Sequence, residues 1–432
     1  GVHHARSGIQ NTHWGDGPKW RNFPGLKDVE TLEQFFKNRG YKTLGAGKIY
    51  HSQAPPWAPT SQIEPENWDF YYPSKFISHP YQIRAPKEVI YPKEVDNKGR
   101  PGDRDGTGES SWWTWGPIPV SDEKMADYHI VDWANYQLDL KHEKPFFLAV
   151  GTWKPHDPWE VPQKYFDLYP MKDVVLPTYR KNDLEDSFDH GRRWIQQWVE
   201  ENKQWKKIIQ SYAAAISFSD AMIGRLIDKI KNSSYANNTI IVLWSDHGMH
   251  MGEKENIEKF TLWERSTRVP LILSYPKMIK PGLRCDQPVS LMDIYPTLVE
   301  LTGYEKPNHL DGKSLVPQIE DPILLTSPVI SSYQFSWTEK PYAAHAVRSM
   351  NHRYIYYPDI GLEELYDHQI DHNEWFNVAY KPENKKIIEN HRKVLLEMLP
   401  ELTWKNQIPE GYIIDSKGNI NVLNYSELSV LN

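Results

Sequence analysis

Four short segments carry side chains able to do chemistry, each at the end of a stretch that reads as a strand or just beyond one. Gly45-Ala46-Gly47-Lys48-Ile49-Tyr50-His51 sets a fixed cation three residues before a titratable base, and its glycines let backbone approach a ligand closely. Lys154-Pro155-His156-Asp157-Pro158 places a histidine between prolines, a stiff loop that aims the imidazole. Ser245-Asp246-His247-Gly248 sets a carboxylate beside an imidazole, two side chains that can ligate a divalent cation. Lys259 follows thirteen residues after Asp246, beyond His250 and Glu253. Taken singly, each has an ordinary structural reading: a solubilising lysine, a packed histidine, a turn with a capping acid. Together, two lysines, two or three histidines and one acid suit an oxyanion. Cations neutralise its charge, and a histidine moves protons to and from the reacting oxygens.

The elements that must position these groups alternate between strand and helix. Thr239–Trp244 is a run of β-branched and apolar residues, which predicts a strand buried on both faces of a parallel sheet. It delivers Asp246 and His247 at its carboxyl end, where open α/β sheets place their ligands. Tyr41–Ala46 and Phe146–Val150 predict strands ahead of the first two segments, and Val269–Tyr275 another. Leu32, Phe35 and Phe36 line one side of a helix over Thr31–Asn38, stopped by Gly40. Ser121 caps a helix with Met125, His129, Trp133, Tyr136 and Leu140 inward. A longer helix turns Tyr212, Ile216, Ser219, Ile223, Leu226 and Ile230 inward, and Asp293–Thr302 is a further helix. The alternation predicts an α/β domain with a large, mostly parallel sheet covered on both faces. Past Pro317–Ser327 the pattern changes to short strands at Val329–Tyr333, Ala343–Arg348, Arg353–Tyr357 and Glu364–Tyr366, then a helix over Lys385–Met398. This predicts a small C-terminal α+β subdomain with an antiparallel sheet, dividing the chain into 1–322 and 323–432.

Composition narrows the function class. The 432 residues are 39% hydrophobic and 25% charged, with a net charge of −7 and no basic cluster, which argues against nucleic acid as a partner. No apolar run is long enough to cross a bilayer. The single cysteine, Cys285, excludes an intrachain disulfide and a cysteine-rich metal site. The 18 Trp and 25 Tyr could stack on sugar rings, but core packing is the expected role of most, with Trp112-Trp113-Thr114-Trp115 in a loop as the exception. The opening Gly1-Val2-His3-His4 shows no initiator Met, basic region or apolar region of a signal peptide.

Read in order, these segments resemble the type I, formylglycine-dependent sulfatases of the alkaline-phosphatase-like superfamily, in particular the iduronate-2-sulfatase-like branch. The resemblance is carried by Gly40–His51, Phe146–His156, Ser211–Asp220, Ser245–Gly248 and Pro288–Gly303, and by Glu364–His368 followed by Glu374 and Asn377. It covers nearly the whole chain. It implies an alkaline-phosphatase-like three-layer sandwich and hydrolysis of sulfuric esters on a sulfated carbohydrate. Asp246 and His247 would be Ca2+ ligands. Lys48, His156 and Lys259 would grip the sulfate oxygens, with His156 protonating the leaving alcohol and His51 acting as the base that helps expel sulfate. A periplasmic or secreted location is also implied.

One departure matters. The family makes its nucleophile from Cys or Ser in a Cys/Ser-x-Pro-x-Arg segment, and Cys285, followed by Asp286-Gln287-Pro288-Val289, does not fit. The paired acids that complete the family's metal site are absent as well. Aligning Gly1 with the glycine that closes the nucleophile helix accounts for both gaps, so the expectation is an N-terminally incomplete sulfatase sequence. Two ligands are few for a hard cation that takes six or more oxygens, so weak calcium binding is expected. Unpaired strand edges predict aggregation, with no aryl sulfate hydrolysis by this polypeptide.

Two other functions remain in play: a phosphoester hydrolase of the same superfamily, which would need ligands for a second metal, and a non-catalytic sulfate- or glycan-binding relative. Sugar contacts are expected from the 158–206 and 111–120 loops, with Arg192, Arg193, Trp194, Trp198 and His250 as candidates. A polar surface helix is the alternative for that stretch.

Overall fold

The computed structural model describes residues 1–9, 20–50, 64–72, 113–190, 193–335, 342–405 and 411–422. In chain order its main elements are helix α1 (Leu32–Asn38), strands β1 (Lys42–Gly47), β2 (Phe70–Tyr72) and β3 (Trp115–Ile118), helix α2 (Ala126–Asp139), and strands β4 (Phe146–Gly151) and β5 (Trp159–Pro162). Helices α3 (Arg193–Glu201) and α4 (Trp205–Lys231) lead to strands β6 (Ile241–Trp244), β7 (His250–Met251) and β8 (Ile257–Glu258), helix α5 (Glu264–Thr267), strand β9 (Leu271–Ser274) and helix α6 (Ile294–Leu301). Strands β10 (Val329–Phe335), β11 (Tyr342–Arg348), β12 (His352–Tyr357) and β13 (Leu362–Asp367) and helix α7 (Lys385–Met398) follow.

The architecture is α/β with a parallel sheet and a smaller antiparallel one. β1 lies between β2 and β4 and pairs with both in parallel, Lys42 opposite Phe146 through Gly47 opposite Gly151. The alternation of a pleated strand sends Phe147 to one face, stacked on Phe36 of α1 near Tyr295 and Val299 of α6. Val150 points to the other face, against Ile130 of α2 and Trp153. Helices therefore cover both sides of the strands. α1 is held at its start by a capping box, in which the Thr31 hydroxyl accepts from Gln34 N–H and Gln34 returns to the Thr31 backbone.

β6 does not join that sheet. It pairs with β9 alone among the described residues, and in antiparallel register, Ile241 opposite Ser274. Between β4 and the β6–β9 pair lies a hollow of about 3430 Å³, lined by both strand sets, by α4 and by part of α6. This hollow corrects two expectations. The β6 strand is not buried on both faces: Trp244 is 46% exposed, and Ile272 of β9 is 56% exposed. The stripe Tyr212, Ile216, Ser219, Ile223, Leu226 and Ile230 on α4 faces the hollow. The tightly buried face of α4 is a second one, with Ile208, Ala214, Ala215, Phe218 and Met222 packed among Trp113, Trp159 and Tyr165.

α2 also differs in detail. Its buried residues are Asp127, Ile130, Val131, Ala134, Gln137 and Leu138, while Tyr136, expected inward, is exposed. The helix starts at Ala126, after a short 3-10 turn at Asp122–Lys124, and Ser121 makes no side-chain cap bond. The C-terminal sheet has the order β10-β11-β12-β13, antiparallel throughout, and its strand residues Tyr354, Tyr356 and Leu365 pack on Ile388 and Leu395 of α7. Among the described residues, no helix is long and apolar enough to cross a membrane.

Candidate active site

Lys48 follows directly on β1, and its position is fixed by close contact between two strand ends. Its N–H donates to the carbonyl of Gly151 at the end of β4, 2.8 Å away. Gly47 sits at φ 72°, and a Cβ there would stand 2.1 Å from Gly151 O, so only glycine fits without displacing backbone.

The loop after β4 is pinned from below. The buried Asp127 carboxylate accepts from the N–H groups of Trp153 (2.8 Å) and Lys154 (2.9 Å), while the Lys154 ammonium donates to the Pro158 carbonyl. Burial, the larger influence, holds the Asp127 carboxyl above its usual range despite those bonds. His156 is thereby aimed, and its Nδ1 lies 2.7 Å from the Asp157 carbonyl and 2.8 Å from Asp157 Oδ1. Nδ1 is therefore the protonated nitrogen, and Nε2 faces out. Lys259 Nζ lies 3.0 Å from that Nε2. Burial raises the Asp157 carboxyl, but the His156 ring and the nearby Lys259 and Lys154 pull it below its ordinary value overall.

Asp246 and His247 close the same rim. Asp246 Oδ2 is 3.9 Å from Lys48 Nζ and 3.7 Å from His247 Nε2. His247 Nδ1 donates to the Gly248 carbonyl at 2.9 Å, leaving the Nε2 lone pair on the Asp246 side. Burial first, then the Lys259 charge, push the His247 imidazole down to about 4, so it is neutral at pH 7. Its recessed setting raises the Asp246 carboxyl, but His247, Lys48 and Lys259 outweigh that and bring it below the usual range. Lys259 is lowered, chiefly by burial, with Lys48 adding to the effect against the pull of Asp157.

Lys48, His156, Asp246, His247 and Lys259 thus line one hollow at the carboxyl ends of β1, β4 and β6. His51 and Arg192 lie outside the described residues. The remaining expected sugar contacts are elsewhere. His250 is fully buried, its Nδ1 3.1 Å from Glu253 O and its Nε2 2.8 Å from Thr261 Oγ1, so it holds a hairpin together and does not reach the hollow. Arg193 Nε pairs with Glu255 at 3.0 Å, and Trp198 packs edge-on to Trp115. Trp194 is 40% exposed on α3. Asp157 is the functional candidate missed in the sequence, where an acid directly after the histidine was the available signal.

A neutral imidazole and a carboxylate are suitable donors for a divalent cation, but Ca2+ takes six to eight oxygens. Among the described residues, the only group of three or more clustered potential ligands is Glu264, His368 and Glu374, whose carboxylates already bond to Arg353 and Arg348. The residues present at the Asp246 rim therefore fit calcium incompletely.

Residues 3–304 match the family described as Sulfatase, and residues 252–401 match the C-terminal family of N-sulphoglucosamine sulphohydrolase. The chain belongs to the sulfatase family. It is 36% identical over 415 residues to a sulfatase from Formosa agariphila, covering 91% of this chain and 75% of that one. To human iduronate 2-sulfatase it is 25% identical, covering 80% of this chain and 73% of that enzyme. The fold matches a solved structure in complex with D-glucosamine-2-N,6-O-disulfate, with a TM-score of 0.64 at 19% identity, over 92% of this chain and 85% of that one. It also matches the phosphonate monoester hydrolase of Silicibacter pomeroyi, with a TM-score of 0.68 at 17% identity, over 98% and 90%. Sulfatase members are hydrolases, and the alkaline-phosphatase-like fold expected from the sequence is the fold of these neighbours.

Proposed function

We propose that this sulfatase family member acts on sulfate monoesters carried by a carbohydrate, and that the rim of the hollow binds the sulfate group. The observation that carries this is the convergence of Lys48, His156 and Lys259 on one spot, with Lys259 Nζ 3.0 Å from His156 Nε2. A sulfate monoester bears one negative charge, and two ammonium groups beside one acid suit it. Lys48 and Lys259 hold non-bridging oxygens. As the S–O bond to the sugar breaks, the Lys259 ammonium, 3.0 Å from His156 Nε2, supplies the proton that His156 relays to the departing alkoxide, and Asp157 orients the ring through Nδ1. His51 would serve as base on the nucleophile, a role resting on resemblance alone.

Formylglycine is the family's nucleophile, and no described residue takes its place at the rim. Asp246 and His247 would supply two of the donors that a cation such as calcium takes. A sugar substrate is supported by the uronate and glucosamine sulfates named for the relatives, and a periplasmic or secreted site of action fits such polymers. The division near residue 322 into catalytic and C-terminal parts belongs to the same proposal.

Binding of inorganic sulfate to this chain tests it. Lys259→Met and Lys48→Met should each weaken binding about tenfold to a hundredfold, the loss of one charge-assisted contact. Unchanged affinity in both variants would refute the assignment.

A further inference from the structure

Lys259 is carried by a hairpin whose backbone is held away from relaxed geometry. β7 and β8 pair with His250 opposite Glu258 and Met251 opposite Ile257. Four non-glycine residues here take positive φ: Lys254 at 55°, Glu255 at 46°, Glu258 at 122° and Phe260 at 72°. Two of them flank Lys259 directly. Such conformations persist only where the surroundings over-determine them.

The restraint comes from the antiparallel sheet. Arg353 of β12 is 2% exposed and uses all three nitrogens on this turn and its supports. Nη1 donates to the Leu262 carbonyl at 2.9 Å, Nε to Glu374 Oε1 at 2.6 Å, and Nη2 to Glu264 Oε2. Glu374 Oε2 in turn accepts the Glu264 N–H at 2.7 Å. Arg348 of β11 donates to Glu264 Oε2 at 3.2 Å and to His368 Nδ1 at 2.8 Å, and His368 Nε2 donates to Glu374 Oε1 at 2.8 Å. Trp263 Nε1 donates to the fully buried Glu364 of β13 at 2.9 Å. The Arg353 and Arg348 guanidiniums face the Glu264 and Glu374 carboxylates here. Its outputs are the Leu262 carbonyl and the Glu264 backbone, three and five residues past Lys259.

We propose that Arg353 is a positioning residue for Lys259. It grips the 258–264 turn from the C-terminal sheet and holds the Lys259 ammonium against His156. Sulfate recognition by the α/β layer then depends on a residue that touches no substrate, in a different sheet. This rests on the proposed role of Lys259 at the rim.

The test compares Arg353→Lys, Lys259→Met and the double variant, with inorganic sulfate as the probe and amide hydrogen exchange as a second measurement. Lysine keeps the charge but loses the three-way fork. R353K is expected to weaken sulfate binding about tenfold, and the double variant to bind within about twofold of K259M alone, since coupled residues are non-additive. An equal loss from R353K with or without Lys259, or no loss, overturns the proposal. If sulfate does not bind the parent chain, or K259M leaves its affinity unchanged, the oxyanion reading fails and exchange decides the clamp. Faster exchange at residues 258–263 in R353K, with α4 unchanged, supports it; unaltered protection there overturns it. Should R353K not fold, Trp263→Phe, which removes the bond to Glu364 together with part of the indole packing, is read by the same two measurements.

Discussion

Glu374 offers a sharp test of how the two sheets are joined. It is 2% exposed, accepts from Arg353, His368 and the Glu264 N–H, and takes φ 59° to do so. Burial alone would raise its carboxyl, but Arg353, followed by His368 and the backbone N–H, brings it down to about 2 from 4.5. A carboxyl held lower in the folded than in the unfolded state contributes stability that is present above the unfolded value and disappears as pH falls through the folded one. The window is therefore pH 4.5 down to about 2. At about 1.4 kcal/mol per pH unit, the linked contribution is on the order of 3 kcal/mol.

Glu374→Gln removes that linkage and leaves Arg353 buried with Glu264 as its remaining carboxylate. Urea unfolding of the parent and E374Q between pH 7 and pH 2 gives the difference curve. E374Q should be less stable by about 3 kcal/mol at pH 7, in keeping with the cost of breaking one side of a buried pair. The gap should close as pH approaches 2, because the parent protonates the same site. Other acids contribute equally to both proteins and drop out of the difference. A gap that stays constant across this range would show that Glu374 is not ionised against Arg353, and the clamp as described would be wrong.

Other consequences are as direct. Gly47→Ala places a methyl 2.1 Å from Gly151 O at φ 72°, so a drop in soluble yield and a lowered Tm are expected, with loss of the Lys48 placement. Calcium at millimolar concentration should leave the thermal midpoint of this chain unchanged, since Asp246 and His247 supply two donors; a rise of several degrees would show a more complete site.

Much of the fold was legible because its signals are local. The helix expected over Thr31–Asn38 formed, and Phe35 and Phe36 buried the face their spacing marked. The short strands after residue 328 paired as an antiparallel sheet, where alternation and brief turns leave few other options. The parallel sheet was harder to place. β4 and β6 both read as central strands from their apolar runs, yet they face each other across a hollow, and one strand's composition does not state its neighbours. The stripe on α4 is informative here. Its period was read correctly, but the helix buries two faces, and the smaller Ala214, Ala215 and Ser211 that pack tightest carry little hydrophobic signal.

The site divides along the same line. Lys48, His156, Asp246 and His247 could be nominated because strand ends announce themselves, and the backbone then leaves little choice about where those side chains go. What places Lys259 was invisible, because it depends on partners about a hundred residues away. Arg353, Glu364 and Glu374 read as ordinary polar residues of a subdomain, and nothing in their spacing links them to residue 259. The structure links them through a turn too strained to keep its shape unaided. A lysine needed at one point in a wide hollow has a flexible four-carbon stem, so fixing its backbone removes only part of its freedom. The rest comes from burial and the bond to His156, which ties two halves of the rim across the hollow. On the proposed reading, recognition of the anion is shared between a local feature, the strand ends, and a non-local one, the grip of the second sheet. Substitutions in that sheet should accordingly alter sulfate affinity by far more than their distance from the rim would suggest.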